Sequence, residues 1–394
     1  MTTSLTFLTD QTSPSMSDLA ERVVSLWARK RPDVPVRLSY LDHEEMRDRL
    51  ESLLTDPAPP DVMTWFAGNR MTSLLDRGLM LDISAIWRAE GFQEAYAPRF
   101  RDMSGGMGKS YFLPTSHYWW AVYYRPSVFA ALGINSPVRT WSDLVAAAER
   151  LKAAGIAPFA LGSKYRCAAA AWFDYLDMRL NGPAFHVDLM AMRVPYTDAR
   201  VRRVFDFWAE LFQQEWFLGT PNSYDEEEAA AAVLRGDAGM TLVGAYVTDE
   251  FVPAGDSDVD FFRFPVIDPA LPIGEDTPVD GYFAAGGGRA PDLARAFLAH
   301  LGSREVQELT TRHLTALPAR TDVDVSVGGA YVARGRELIR GADHLGQFYD
   351  LDTPWELADA GMSAMVSFMD HQGDVAALLA PVEDKRNLLR AALS

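Results

Sequence analysis

A single cysteine, Cys167, occurs among 394 residues, so no internal disulfide can form. One unpaired thiol is compatible with an oxidising or a reducing compartment. Positive charge is scarce. Lys and Arg number 37 against 54 Asp and Glu, the formal net charge is −17, and lysine stands only at positions 30, 109, 152, 164 and 385. Nucleic-acid binding needs a basic face and an anionic membrane attracts one, so both are disfavoured as partners. No apolar run approaches the ~20 residues of a membrane-spanning helix. Thr2 to Asp10 has neither a basic n-region nor a long apolar h-region. The chain therefore reads as cytosolic, or as a mature form whose export signal has been removed.

Familiar chemical motifs are missing too. There is no HExxH, GxSxG, CxxC or GxGxxG, and nothing points to a metal or a cofactor. Gly108-Lys109-Ser110 resembles the end of a phosphate-binding loop, but Met103 stands where that loop requires glycine. Asp256, Asp258 and Asp260 imitate the start of a calcium loop. Phe261 and Ile267 occupy its obligatory glycine and glutamate positions. Carboxylates are abundant, so an acid/base pair is not excluded by counting, although no particular pair stands out.

What is present is a large apolar inventory, 48% of residues, on a chain long enough for two lobes. Tyr111 to Arg125 is dense in aromatics without helical period, and from about Trp119 it reads as a strand. Pro114 cannot donate to a ladder, which predicts an edge or a crossing between elements there. His117, Tyr118 and Trp119 stand side by side, so at least one of them should face away from the main core, into a cleft between lobes.

Leu5 to Thr9, Val34 to Tyr40 and Asp61 to Trp65 read as strands. Helices between them carry Leu19, Val23 and Trp27, and Met46, Leu50 and Leu53. Ser15 and Asp18 suggest the first helical cap. This rhythm implies a parallel sheet flanked by helices, with ligands beyond the carboxyl ends of the strands. Those ends hold Gln11 and Thr12, His43, and Trp65 with Asn69. Thr140 to Asp143 and Ser223 to Glu226 cap later helices. Phe261 to Pro265 and Leu317 to Arg320 read as further crossings. Trp65, Tyr118, Trp119, Tyr246, Tyr282 (after Gly281) and Trp355 fall at strand ends or crossings. Flat aromatic faces there suit the apolar faces of sugar rings.

Several local signatures then line up in order. They are Pro60-Asp-Val-Met-Thr-Trp65, Gly78-Leu-Met-Leu-Asp82, Leu113-Pro114 with Tyr123-Tyr124, Thr140-Trp-Ser-Asp-Leu144, Gly155-Ile-Ala-Pro158, Gly236 to Gly244 and Leu317-Pro-Ala-Arg320. Together they resemble the extracellular solute-binding family 1 of ABC sugar importers, which includes maltodextrin binders. The resemblance implies a two-lobed α/β flytrap fold with three crossing segments. Lobe 1 would span 1–115 and 266–316, and lobe 2 would span 116–265 and 317–394. It further implies a carbohydrate in the inter-lobe cleft, closure on binding, delivery to the transmembrane permease subunits, an extracytoplasmic location, a monomer and no catalysis.

By the same resemblance Trp65 matches a sugar-contacting tryptophan. Tyr118 stands where those binders carry a glutamate, Lys164 and Arg166 where they carry Glu and Tyr, and Tyr246 and Trp355 where they carry tryptophans. Lys164 and Arg166 offer donors to an anionic or acceptor-rich sugar. His117 and Arg70 could add to such a clamp. A carbohydrate-active hydrolase and the ligand-binding partner of a chemoreceptor fit the same composition.

Overall fold

The computed structural model describes residues 4–106, 108–251 and 258–393. The chain divides into two compact α/β units. Unit 1 comprises the chain up to Tyr118 together with Pro278–Arg336, and unit 2 comprises Trp119–Thr277 and the chain from Glu337 onward. Three passages follow, at 118/119, 277/278 and 336/337.

Unit 1 is built on a six-stranded sheet in the order Leu317–Pro318, Phe112–His117, Val279–Ala284, Val62–Phe66, Leu5–Thr9, Val36–Tyr40. The last three run parallel, and the strands 279–284 and 112–117 are each antiparallel to their neighbours. All five residues of Val62–Phe66 are buried, because helices cover both faces of a central parallel strand. Val36–Tyr40 is the exposed edge. The helix Pro14–Lys30 buries Leu19, Val23 and Trp27, and the Trp27 indole donates to Val34 O at 2.9 Å. Its cap is Ser13, which accepts from the Met16 amide with Pro14 behind it, not Ser15.

Unit 2 holds a four-stranded sheet in the order Asp260–Phe262, Trp120–Tyr124, Ala238–Gly244, Ala157–Ala160. The last two strands are parallel, and Trp120–Tyr124 is antiparallel to both of its neighbours. A short parallel pair, Gly274–Asp276 with His344–Gly346, lies apart from it. The helix Cys167–Asn181 is buried continuously from Ala168 to Leu180. A helix buried all round carries no amphipathic stripe, so its periodicity is silent in the sequence. Thr140 and Asp143 form the expected capping box. The later box is Asp225 with Glu228, and Ser223 ends a short 3₁₀ turn instead.

The first passage falls inside the aromatic stretch Tyr111–Arg125, whereas the second and third lie later than the proline signals suggest. Leu317–Pro318 is no crossing: it pairs with Ser116 and His117 as an edge of the unit 1 sheet. Phe261 belongs to a unit 2 edge strand against Tyr123. Pro114 sits within a strand, opposite a register shift between Asp280 and Gly281 that accommodates its missing donor. The Gly105–Ser110 stretch is a minimal hairpin whose Lys109 pairs with Asp82 at 3.3 Å. Asp256 and Met107 lie outside the described residues.

Candidate functional site

In unit 1 the three parallel strands end at one edge, and Val279–Ala284 starts there, with Asp280 opposite Phe66. Asp10 follows the first strand. Its Oδ2 lies 2.7 Å from His43 Nδ1, and the Thr64 hydroxyl donates to its Oδ1 at 2.6 Å. Burial works to raise the Asp10 carboxyl, but the His43 bond and charge and the Thr64 bond hold it below its ordinary value. Asp280 behaves oppositely. Burial first, then the Asp10 charge, push it up to about 7, with His43 opposing. Two half-buried carboxyls at one edge are thus split in character: one is an acceptor at neutral pH, and the other is able to donate as well.

Trp65 is 4% exposed and stacks on Phe66 at 4.3 Å, with its indole Nε1 buried and lacking a hydrogen-bond partner. A buried orphan donor costs about 1–3 kcal/mol and invites an acceptor from elsewhere. Gln11, Thr12 and Asn69 take their expected places after the strands, Thr12 exposed and the other two half-buried. Gly281 is needed for packing, since a Cβ there would meet Leu113 O at 2.1 Å.

Three residues expected at the ligand are buried among core side chains. Tyr282 packs edge-on to Phe7 at 5.7 Å in the core, and burial raises its hydroxyl pKa. Trp119 is fully buried, 5.5 Å from Phe261. His117 is buried 5.0 Å from Phe100, and burial, with the Arg99 charge next, brings its pKa down to about 3. A neutral His117 adds nothing to a cationic clamp, and the Arg70 side chain lies outside the described residues. Tyr118 is half-buried and donates its amide to Pro278 O at 3.3 Å.

In unit 2 the parallel strands Ala157–Ala160 and Ala238–Gly244 also end together, beside the start of Trp120–Tyr124. The loop after the first of them is held tightly. Gly162 lies so close to Asp225 that a Cβ would meet its carbonyl at 1.9 Å, and the Lys164 amide donates to Tyr224 O at 2.8 Å. Arg166 adopts φ 71°, unusual for a non-glycine residue. Its guanidinium is engaged by Asp359 at 2.7 Å and Ser363 at 3.3 Å. The cation expected to clamp an acidic ligand is therefore already neutralised within its own unit.

That fixed loop leaves Tyr165 52% exposed, among the most exposed large apolar side chains described, with the Lys164 ammonium 5.4 Å from its ring centre. At the end of the second strand the Tyr246 hydroxyl donates to Glu226. Its ring meets Trp120 at 6.2 Å, and Trp120 stacks on Phe348 at 4.8 Å. Trp355, half-buried, opens the helix that carries Asp359.

Sequence reasoning missed Asp10, Asp280, Tyr165, Glu226 and Trp120. Asp10 adjoins Gln11 at a strand end and Tyr165 lies between Lys164 and Arg166, so position alone could have found those two. Asp280 likewise adjoins Gly281, whereas nothing local marks Glu226. No cluster of three His, Cys, Asp or Glu side chains fit for a metal occurs among the described residues.

Comparison with known proteins places this geometry. The model of the bacterial extracellular solute-binding protein family matches residues 9–308. An uncharacterized ABC transporter extracellular-binding protein of Pyrococcus horikoshii is 26% identical over 277 residues, 69% of this chain and 61% of that protein. The osmoprotective compounds-binding protein of a Synechocystis strain is 25% identical over 293 residues, 68% of this chain and 66% of that protein. The match thus spans less than two thirds of either relative. Among solved structures, the bacterial solute receptor AcbH, described as exclusive for β-D-galactopyranose, superposes with TM-score 0.92 at 26% identity. The superposition covers 99% of this chain and 100% of that one. A chitin oligosaccharide binding protein superposes with TM-score 0.90 at 21% identity, covering 99% of each chain, a likeness of fold. With its two α/β units and three passages, the chain has the type II periplasmic-binding-protein fold and belongs to the bacterial extracellular solute-binding protein family.

Proposed function

We propose that the chain is the substrate-binding component of an ABC importer, that its ligand is a carbohydrate, and that it hands this ligand to membrane permease subunits outside the cytoplasm as a monomer. The observation that carries the reading is the pairing of acceptors with flat rings at both carboxyl edges. Asp10, Asp280 and His43 stand near Trp65 and Phe66 in unit 1, and Glu226 bonds Tyr246, whose ring meets Trp120, in unit 2. Carboxylates accept from sugar hydroxyls in pairs, and rings cover the C–H faces. With Arg166 committed to Asp359 and His117 neutral, a neutral, hydroxyl-rich ligand suits these edges better than an acidic one. The likeness to a galactopyranose receptor supports a small sugar.

Calorimetry against D-galactose, maltose and chitobiose, with small-angle scattering, tests the proposal. At least one sugar should bind at micromolar Kd or better and shrink the radius of gyration, because hinge closure is general to this fold. No binding across a broad panel of neutral and acidic sugars would refute it. A second reading rests on the Asp10/Asp280 split, the electrostatic pattern of a glycosidase acid and base. Turnover of a bound disaccharide would favour it, and intact recovery of the sugar would exclude it.

A further inference from the structure

Glu275 is fully buried in unit 2, two residues before Thr277, where the chain passes to unit 1. Its surroundings reach the other two passages as well. The Tyr175 hydroxyl lies 3.1 Å from Glu275 Oε2 and also 3.1 Å from the carbonyl of Trp120, the second residue after the first passage. Arg263 Nε lies 3.0 Å from Glu275 Oε1, and its Nη2 donates to the carbonyl of Leu338, the second residue after the third passage. Arg179 closes the group. It donates to Glu275 Oε1 at 2.7 Å and to Gly274 O at 2.6 Å, with further bonds to Phe264 O.

A buried carboxylate held by two guanidiniums and a phenol is not needed for stability, because an apolar cluster of equal volume often does as well. Such a network instead specifies one arrangement of the backbone segments it joins, since each broken bond strands a buried partner. The segments joined here are the unit 2 ends of all three passages. Of the carbohydrate-edge residues only Trp120 takes part, and through its backbone carbonyl rather than its ring.

We propose that Glu275 is a positioning residue that ties the unit 2 ends of the three passages into one joint, so that they move together when ligand drives closure. Its link to ligand binding rests on the proposed solute-binding role, but the joint itself is testable without any sugar. In Glu275→Gln the isosteric amide keeps the volume but removes the negative charge that Arg179 and Arg263 share, leaving two buried guanidinium contacts on one neutral oxygen.

The experiment is hydrogen–deuterium exchange on the unliganded full chain, read on peptides covering 119–123, 274–278 and 337–341. Glu275→Gln should speed exchange by about tenfold or more in all three. Tyr175→Phe, which deletes the hydroxyl shared by Trp120 and Glu275, should speed it in 119–123 and 274–278 and leave 337–341 as in wild type. Faster exchange confined to 274–278 in Glu275→Gln would show a local ion pair and overturn the proposal, whatever the melting temperature does. If Glu275→Gln fails to fold, Tyr175→Phe decides alone: wild-type exchange at 119–123 overturns the joint. Because no ligand enters, a failure to find a carbohydrate leaves this result intact, and a loose joint leaves the carbohydrate reading intact.

Discussion

Asp276 should make the protein less stable as pH rises from acid to neutral, which reverses the usual carboxylate trend. Its side chain is fully buried, and neither carboxyl oxygen has a hydrogen-bond partner. Around it stand His186, from the helix Pro183–Met190, and Asp174 and Asp177, from the helix Cys167–Asn181. His186 Nδ1 lies 2.8 Å from Asp177, and its Nε2 lies 3.4 Å from Asp174. Glu275 and Arg179 act on it from the next residue and the buried helix, and Asp177 and Asp350 act on Asp174. Burial first pushes Asp276 up to about 7, with Glu275 adding and His186 and Arg179 opposing. Asp174 is raised as well, by burial and then by Asp276.

The unfolded carboxyl titrates near 3.8. Below that both states are protonated and no penalty exists. Between about pH 4 and 7 the folded state holds the extra proton, so stability falls by about 1.4 kcal/mol per pH unit. Above 7 the loss levels off at about 4 kcal/mol. Asp276→Asn removes the titration and leaves a buried amide donor costing about 1–3 kcal/mol. The variant should therefore melt above wild type at pH 8 and lose that advantage by pH 5. The difference should change by about 3 kcal/mol, or roughly 6–12 °C for a unit of this size. Scanning calorimetry of both proteins from pH 5 to 8 resolves this even if the units melt separately. Parallel profiles would refute the reasoning.

Two other outcomes are expected. Arg166→Ala should change affinity for a neutral sugar less than threefold and show no salt dependence, since Asp359 already neutralises that charge; a large, salt-sensitive loss confined to acidic sugars would restore the clamp. His117, buried neutral with its pKa near 3, should destabilise unit 1 as pH falls from about 6.5 towards 3. His117→Gln should flatten that acid limb in a calorimetric pH series, and an unchanged limb would contradict it.

The parallel start of unit 1 was legible because three strands with two helices between them follow the βα rhythm within the first seventy residues, although the first cap is Ser13 and not Ser15. The strand ends therefore pointed to Gln11, His43 and Asn69. Passages were harder. Aromatic and proline clusters at 261–265 and 317–320 read as crossings, yet edge strands use the same residues, and only pairing distinguishes them. The altered acidity of Asp280 was not legible, because it comes from burial first and then from Asp10, 270 positions away in sequence. Likewise Arg166 looked available until its partner on a distant helix was seen.

The third passage falls inside the helix Gly329–Arg340, between Arg336 and Glu337. A helix behaves as an elastic rod whose every bend strains i to i−4 bonds. Gly335, interior to this rod and one residue from the passage, has no Cβ and weakens the helix locally by about 0.5–1 kcal/mol relative to alanine. At the first two passages the chain runs between strands without regular structure, and the third is a spring with a soft coil beside the join. Gly335 therefore lets the helix bend beside the join at less cost than an alanine there would allow.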